Sequence, residues 1–317
     1  MSRLAYSFKN ARVSVAFYLL VLALNFFSRR IFLEELGTQF VGLTSSVMSY
    51  IGFLNLADLG IAVAVAQVLY DPLYRRDRTQ ITELLGWLFR LVGLAITLLG
   101  LTFAAFIPWV FARAVTEGIP LGTIYAAYLT FLATTLMSYL LNYKQNLLMA
   151  DQRGYVVTRI FNLSLLAKVL LQMALLRWTS AGYLTWLTVE LLFGLVFAVW
   201  LELALRRIYP WLRSSLRQGR AAVRKYRSVF ATTRRIFSHR IASLVLYQSD
   251  VIVLGQLISQ SMVSYYTNYS MMIGRLTSFI GGALNNSYAG VGNLVVEGDR
   301  SKIKLVFWQF NAMYFWI

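Results

Sequence analysis

Ile31-Phe32-Leu33-Glu34-Glu35-Leu36 opens a stretch that returns later in the chain as Ile252-Val253-Leu254-Gly255-Gln256-Leu257. A long apolar run follows each copy. The first run closes on Asp77-Arg78-Thr79-Gln80-Ile81, and the second closes on Asp299-Arg300-Ser301-Lys302-Ile303. The offset is 221 residues at the opening and 222 at the close. Solenoid repeats have periods of roughly 20–50 residues. One match at so large an offset therefore predicts a duplicated half rather than a repeat array.

The composition places the chain in a bilayer. Its residues are 58% hydrophobic and 14% charged, with a mean hydropathy of +0.61. Soluble domains carry about 25% charged residues, so a soluble fold would have no place for this much apolar surface. The chain has no cysteine, which excludes disulfides and thiolate chemistry, and His239 is its one histidine. We expect no metal, no cofactor and no catalytic motif, and hence no enzyme.

The apolar runs predict an all-α, polytopic membrane protein. A helix needs about 20 residues to cross a bilayer. These runs are apolar throughout and lack the alternation of β-barrel strands. A cleaved signal peptide is the alternative for the first run, but no small-residue cleavage site follows it. The predicted spans are residues 12–36, 40–70, 81–110, 121–146, 155–177, 183–205, 241–258 and 262–292, with a ninth beginning near Ile303.

The distribution of Lys and Arg predicts the orientation. With the N-terminus in the cytoplasm, 23 of the 30 basic residues lie in inner segments and three lie within spans. The outer segments hold Arg29, Arg30, Arg113 and Arg177. The predicted location is the bacterial cytoplasmic membrane, with multiple passes.

Six spans separate the two repeat copies, so both copies share one orientation and the halves form a parallel repeat. The predicted domains are a six-helix bundle over residues 1–205, a basic cytoplasmic linker over 206–240 and the start of a second bundle over 241–317. Two halves of this size need roughly 440 residues. We therefore expect the natural reading frame to extend beyond Ile317.

Charged residues inside predicted spans are candidate functional residues, because such residues are costly there and usually face a cavity or a partner. Two simpler explanations compete: snorkelling to the headgroups for Arg29, Arg30 and Arg90, and a structural ion pair between helices for the deeper residues. The predicted substrate-binding residues are Arg29, Arg30, Asp58, Arg90, Lys168, Asp250 and Arg275, and Glu190 is a further charge within a span.

The linker carries eleven Lys or Arg residues and no acid between Arg206 and Arg240. Aromatic residues interleave with these charges, a pattern that also occurs in nucleic-acid binding. The position just inside the membrane instead favours anionic lipid headgroups, at about 1 kcal/mol per basic residue. We expect membrane lipids as partners and no nucleic acid, and topogenic charge alone remains the simpler explanation.

Several short motifs resemble polysaccharide flippases of the Wzx type, within the multidrug/oligosaccharidyl-lipid/polysaccharide superfamily. They are Leu36-Gly37 followed by Gly42, then Asp58-Leu59-Gly60, then Asp250-Val251-Ile252. The resemblance covers the whole chain in layout and implies two six-helix bundles around a cavity. The turn between Gly37 and Gly42 departs from the family, since it lacks the Pro and the acid often found there. We expect most of the second bundle to lie beyond Ile317.

The resemblance implies a transporter that flips undecaprenyl-pyrophosphate-linked oligosaccharides for surface polysaccharide assembly. Arg29, Lys168 and Arg275 are predicted to attract the pyrophosphate of this anionic glycan. Asp58 and Asp250 would balance that charge or take a coupling ion, H⁺ or Na⁺. Position 29 plus 221 is 250, so a pair between Arg29 and Asp250 across the two halves is possible. Other polysaccharide-assembly proteins are possible partners.

Three other functions compete with the flippase. A multidrug exporter of the same superfamily would need an acidic cavity for cationic drugs, and basic residues match the acids here. A membrane glycosyltransferase or O-antigen polymerase would need residues presented outside the membrane, where Glu34 and Glu35 are the only paired acids in the outer segments. A structural membrane protein is the last alternative.

Overall fold

The computed structural model describes residues 23–54, 69, 72–151, 153–179, 182–212, 245–246, 248–285 and 300–316. The chain forms two compact units, Met1–Tyr265 and Tyr266–Ile317. All regular secondary structure in these described ranges is helical. The prediction of an all-α protein is confirmed, whereas the six-helix bundle stays a prediction.

Twelve helices are numbered here along the described ranges. They are α1 (residues 23–36), α2 (Thr38–Leu54), α3 (Arg78–Ala104), α4 (Ile107–Val110), α5 (Ala112–Thr116), α6 (Leu121–Leu140), α7 (Gln145–Ala150), α8 (Gly154–Trp178), α9 (Tyr183–Ile208), α10 (residues 248–257), α11 (Gln260–Asn285) and α12 (Arg300–Trp316). A 3₁₀ turn, Asn142–Lys144, joins α6 to α7.

Three of these helices, α6, α8 and α9, are long and apolar enough to cross a membrane. They are predicted spans four, five and six, and α9 packs against both of the others. Within α3, residues Gly93–Ala104 form a shorter apolar segment. The wider prediction of eight complete spans remains a prediction, because several of those spans extend into residues outside the described ranges.

Two predicted spans extend beyond the ends of the corresponding helices in the structure. The third was predicted to reach Val110, but α3 ends at Ala104 and α4 begins afresh at Ile107. Pro108 in the first turn of α4 explains the restart, because proline suits a helix start and disrupts a helix interior. The fourth was predicted to reach Asn146, but α6 ends at Leu140.

The 3₁₀ turn after α6 is tighter than an α-helical turn, and side chains in it and after it are buried. It buries Tyr143, and the following helix α7 buries Leu147 and Leu148. Burial of these side chains compensates for the interrupted helix, since each fully buried large apolar side chain is worth about 1.5–3 kcal/mol. Continuous apolar sequence thus does not mean one continuous helix here.

Two hydrophobic clusters lie towards opposite ends of α9. The first, here called the Tyr183 cluster, includes Phe32, Val41, Phe111, Leu176 and Tyr183. It gathers residues next to the connections that follow α1, α4 and α8. All of these connections belong to the predicted outer face.

The second, here called the Leu205 cluster, includes Ile81, Leu147, Ile160, Leu205 and Tyr209. It gathers residues next to the connections that precede α3, follow α6 and follow α9. These are predicted inner segments, so the connections sort into the two sets that the charge distribution predicted.

One pair of helix starts follows the offset of the sequence match. Helix α11 begins at Gln260, 222 residues after α2 begins at Thr38. The agreement supports the proposed duplication, which itself stays a prediction.

Candidate functional site

A cavity of about 220 Å³ lies among the three apolar helices α6, α8 and α9. Its apolar walls include Phe161, Leu165, Phe193 and Phe197. Its polar groups come from all three helices and from the 3₁₀ turn: Thr134, Ser138, Asn142, Ser164, Lys168 and Glu190. A polar cavity between helices of this kind is a candidate site, because charged groups at membrane depth usually have a function.

Lys168 of α8 and Glu190 of α9 form an ion pair in this cavity. The Lys168 Nζ donates to Glu190 Oε1 at 2.7 Å. Their side chains are 19% and 15% exposed. Gln172 donates from Nε2 to Glu190 Oε2 at 3.2 Å and to the Trp186 carbonyl at 3.3 Å. Both oxygens of the Glu190 carboxylate therefore accept a hydrogen bond.

The ion pair with Glu190 affects the role that was predicted for Lys168. Lys168 was predicted to attract a pyrophosphate, with an ion pair between helices as the simpler explanation. The structure places its ammonium group on Glu190, so that charge is already neutralised within the cavity. A role in substrate binding stays a prediction.

Two buried polar atoms in the cavity have no hydrogen-bond partner. They are Oδ1 of Asn142 and Oγ of Ser164, on side chains 3% and 5% exposed. A buried polar atom left unpaired costs about 1–3 kcal/mol. Neither residue was predicted from the sequence, although each is a polar residue inside an apolar run.

A second polar region joins α2 to the start of α11. Ser46 Oγ donates to Gln260 Oε1 at 2.8 Å, and the Thr38 and Ser261 hydroxyls lie 3.1 Å apart. Ser46 and Gln260 are almost completely buried. Gly42 faces the backbone of Gln260 directly. We call this region the junction.

The connection after α4 reinforces the junction. Arg113 Nε donates to the Ile258 carbonyl at 2.6 Å, and the Gln260 amide donates to Glu117 Oε2 at 3.0 Å. Gln256 donates from Nε2 to the Tyr50 hydroxyl at 2.7 Å and also to the Val110 carbonyl. The junction thus fixes residues 256–261 against α2 and residues 110–117.

The remaining predicted site residues are scattered or undescribed. Arg30 is exposed and pairs with Glu34 of its own helix at 2.7 Å. Arg29 is half-buried on α1, and Asp250 is exposed on α10. The proposed pair between Arg29 and Asp250 stays a prediction.

Three further predicted residues lie elsewhere. Arg275 is half-buried on α11, in the unit that begins at Tyr266. Arg90 lies on α3, but its side chain is outside the described part of the structure, and Asp58 is outside it entirely. Their roles in substrate binding therefore stay predictions.

Ion pairs and aromatic contacts organise the end of the protein that holds the Leu205 cluster. Glu202 accepts from Lys144 Nζ at 2.9 Å and from Arg206 Nε at 2.9 Å. Tyr209 donates its phenol O–H to Asp151 Oδ2 at 2.5 Å. Burial, and then this hydrogen bond, raise the pKa of Tyr209 well above that of a free tyrosine.

The described structure is thus an all-α protein with three helices apolar enough to span a membrane, a charged cavity among them and a polar junction. Comparison with known protein families, curated proteins and solved structures finds no match to this chain. Within the described ranges, no group of three acidic or histidine side chains is arranged to hold a metal ion.

Proposed function

We propose that the protein is a membrane transporter that flips a lipid-linked, anionic oligosaccharide across the bacterial cytoplasmic membrane. The observation that carries the proposal is the junction, where the second repeat copy packs on the first through buried polar contacts. Transporters with duplicated halves work by rocking one half against the other around a central site. Such a mechanism needs a defined contact between the halves that can close and open.

Helix order supports the duplication on which this mechanism depends. Helices α2 and α11 begin at matching positions of the two predicted repeat copies. A duplicated unit gives each half the same fold, which is the condition for rocking about a pseudo-axis.

The chemistry of the junction supports a contact that can reopen. Between α2 and α11 the contacts are neutral: Ser46 donates to the Gln260 side chain, and the Thr38 and Ser261 hydroxyls meet. The charged groups of the junction, Arg113 and Glu117, bond to backbone atoms. Neutral hydrogen bonds contribute about 0.5–1.5 kcal/mol each, because water replaces them when they separate. In the proposal the junction closes the outer mouth, and its opening releases the glycan outside.

Charge within the proposed path supports an anionic substrate. Arg29 and Arg275 would attract the pyrophosphate, and Lys168 would join them only after leaving Glu190. The coupling ion, H⁺ or Na⁺, and the acidic residues that take it belong to the same proposal. The orientation with the N-terminus inside follows from the Lys and Arg distribution.

A disulfide across the junction tests the proposal. The chain has no native cysteine, so Thr38→Cys with Ser261→Cys introduces one pair. The two hydroxyl oxygens are 3.1 Å apart, which brings the β-carbons near disulfide range. In a flippase-deficient bacterial strain that expresses the full-length protein, oxidation should stop glycan export and reduction should restore it.

Each single cysteine variant is the matched control and should export glycan under oxidant. Cross-linking is scored separately, by the mobility of the protein on a non-reducing gel. Complete cross-linking with undiminished export would contradict a junction that must open. Failure of the unmodified full-length protein to restore export would contradict the flippase itself.

A further inference from the structure

The cavity among α6, α8 and α9 is too large and too apolar to be explained by its ion pair alone. About 220 Å³ is room for roughly seven water molecules at about 30 Å³ each. Four large apolar side chains nevertheless form its walls: Phe161, Leu165, Phe193 and Phe197. Cavities lined only by such side chains remain dry and take apolar ligands, so the apolar part of this lining favours an apolar group. An occupant with an apolar part fits these walls better than a water cluster.

The polar side of the cavity requires a hydrogen-bond donor. Asn142 Oδ1 can only accept, and Ser164 Oγ accepts or donates. Both atoms are buried, line the cavity and lack a partner. A ligand hydroxyl meets this requirement, because its O–H donates to the amide oxygen while its own oxygen accepts from the serine.

The charges in the cavity exclude an ionic occupant. Lys168 and Glu190 neutralise one another at 2.7 Å, and among the described residues no other charged side chain lines the cavity. A charged ligand would therefore be buried without a counter-charge, which is far more costly than burying a neutral one. The occupant that fits is uncharged.

The position of the cavity indicates how a ligand enters. Phe161 lines the cavity and is 52% exposed, on a helix apolar enough to span a membrane. Its ring packs edge-on against Phe197, with centroids 5.7 Å apart. The exposed side of such a helix faces hydrocarbon in a bilayer, so the ligand arrives from the lipid phase.

We propose that this cavity binds an uncharged, hydroxyl-bearing lipid. Its hydroxyl group bonds to Asn142 and Ser164, and its hydrocarbon chain lies against Phe161 and Phe197. Lys168 belongs both to this cavity and to the proposed path of the anionic glycan, and the inference concerns the chain in which Lys168 is paired with Glu190. The inference stands without the proposed transport function.

Native mass spectrometry of the purified full chain in detergent tests this site with 1-monoolein as the probe. We expect one retained monoolein per chain. Methyl oleate has the same hydrocarbon chain but no donor, and oleate has a negative charge. Both should be retained about tenfold less, because neither satisfies Asn142 without a penalty.

Two variants and a control make the test specific. Ser164→Ala removes one oxygen and should reduce monoolein retention about tenfold, and Phe161→Ala should reduce it by removing part of the wall. Thr188→Ala is the control, since Thr188 is exposed on α9 and donates to the Leu184 carbonyl of its own helix. It should retain monoolein as the parent does.

Three results would overturn the proposal. The first is no retained monoolein in the parent chain, which would indicate a water-filled cavity. The second is equal retention of monoolein and methyl oleate, which would indicate an apolar site without hydroxyl recognition. The third is equal retention by the parent chain and the Ser164→Ala variant.

Discussion

The carbonyl oxygen of Gln260 lies 1.8 Å from the position that a β-carbon on Gly42 would occupy. The backbones of α2 and α11 therefore touch at this point, and glycine is the residue that permits the contact. Gly42 is also one of the residues on which the resemblance to polysaccharide flippases depends.

Gly42→Ala should destabilise the protein by about 1–3 kcal/mol or more, because the added methyl group meets backbone atoms that cannot rotate away. Thermal unfolding of the purified chain in detergent measures the change. Gly122→Ala on α6 is the control, because a β-carbon there has no neighbour within 4 Å. Equal melting temperatures for the two variants would show that the junction is looser than described.

Removal of one partner of the buried pair should be worse than removal of both. Glu190→Gln or Lys168→Met should each cost about 3–5 kcal/mol, because each variant leaves a largely buried charge or donor uncompensated. The double variant Lys168→Met with Glu190→Gln should cost less than the sum of the two. Unfolding of the four proteins in detergent forms the double-mutant cycle.

Arg30 and Glu34 supply the exposed comparison for that cycle. Their side chains are 67% and 45% exposed, and exposed pairs contribute about 0–1 kcal/mol. Glu34→Gln should therefore change stability little. A cost as large as that of Glu190→Gln would indicate that burial does not determine the strength of these pairs.

Topology is testable with single cysteines at exposed positions near the two clusters. Tyr74 is 90% exposed and lies beside the Leu205 cluster, whereas Thr116 is exposed on α5. In intact cells an impermeant thiol reagent should label Thr116→Cys and leave Tyr74→Cys unlabelled until the membrane is opened. The reverse pattern would invert the predicted orientation.

Tyr209→Phe should destabilise the end of the protein that holds the Leu205 cluster by about 1–3 kcal/mol, because it removes the donor to Asp151 and keeps the ring. The measurement is again thermal unfolding in detergent. Tyr155→Phe is the control, because Tyr155 is 70% exposed and should tolerate the change. If both variants unfold at the same temperature as the parent chain, the hydrogen bond contributes nothing to stability.

The starts and ends of α8 and α9 agree with the sequence to within a few residues. Both helices are single apolar runs bounded by polar or glycine residues, so the length of each run predicts the length of its helix. Prediction was poorer where an apolar run continued through a break. Pro108 is a local signal for the break after Ala104. Leu140–Leu141 carries no such signal, and the break there is accompanied by burial of the segment that follows.

The sequence by itself determined the helical class, the bilayer-compatible composition and the grouping of the connections into two sets. These features follow from hydrophobicity and charge, which each residue carries wherever it lies. Tertiary structure decided that Lys168 meets Glu190, that Asn142 and Ser164 share a cavity, and that Gly42 touches Gln260. These relationships join residues from 22 to more than 200 positions apart, and only packing of the helices brings them together.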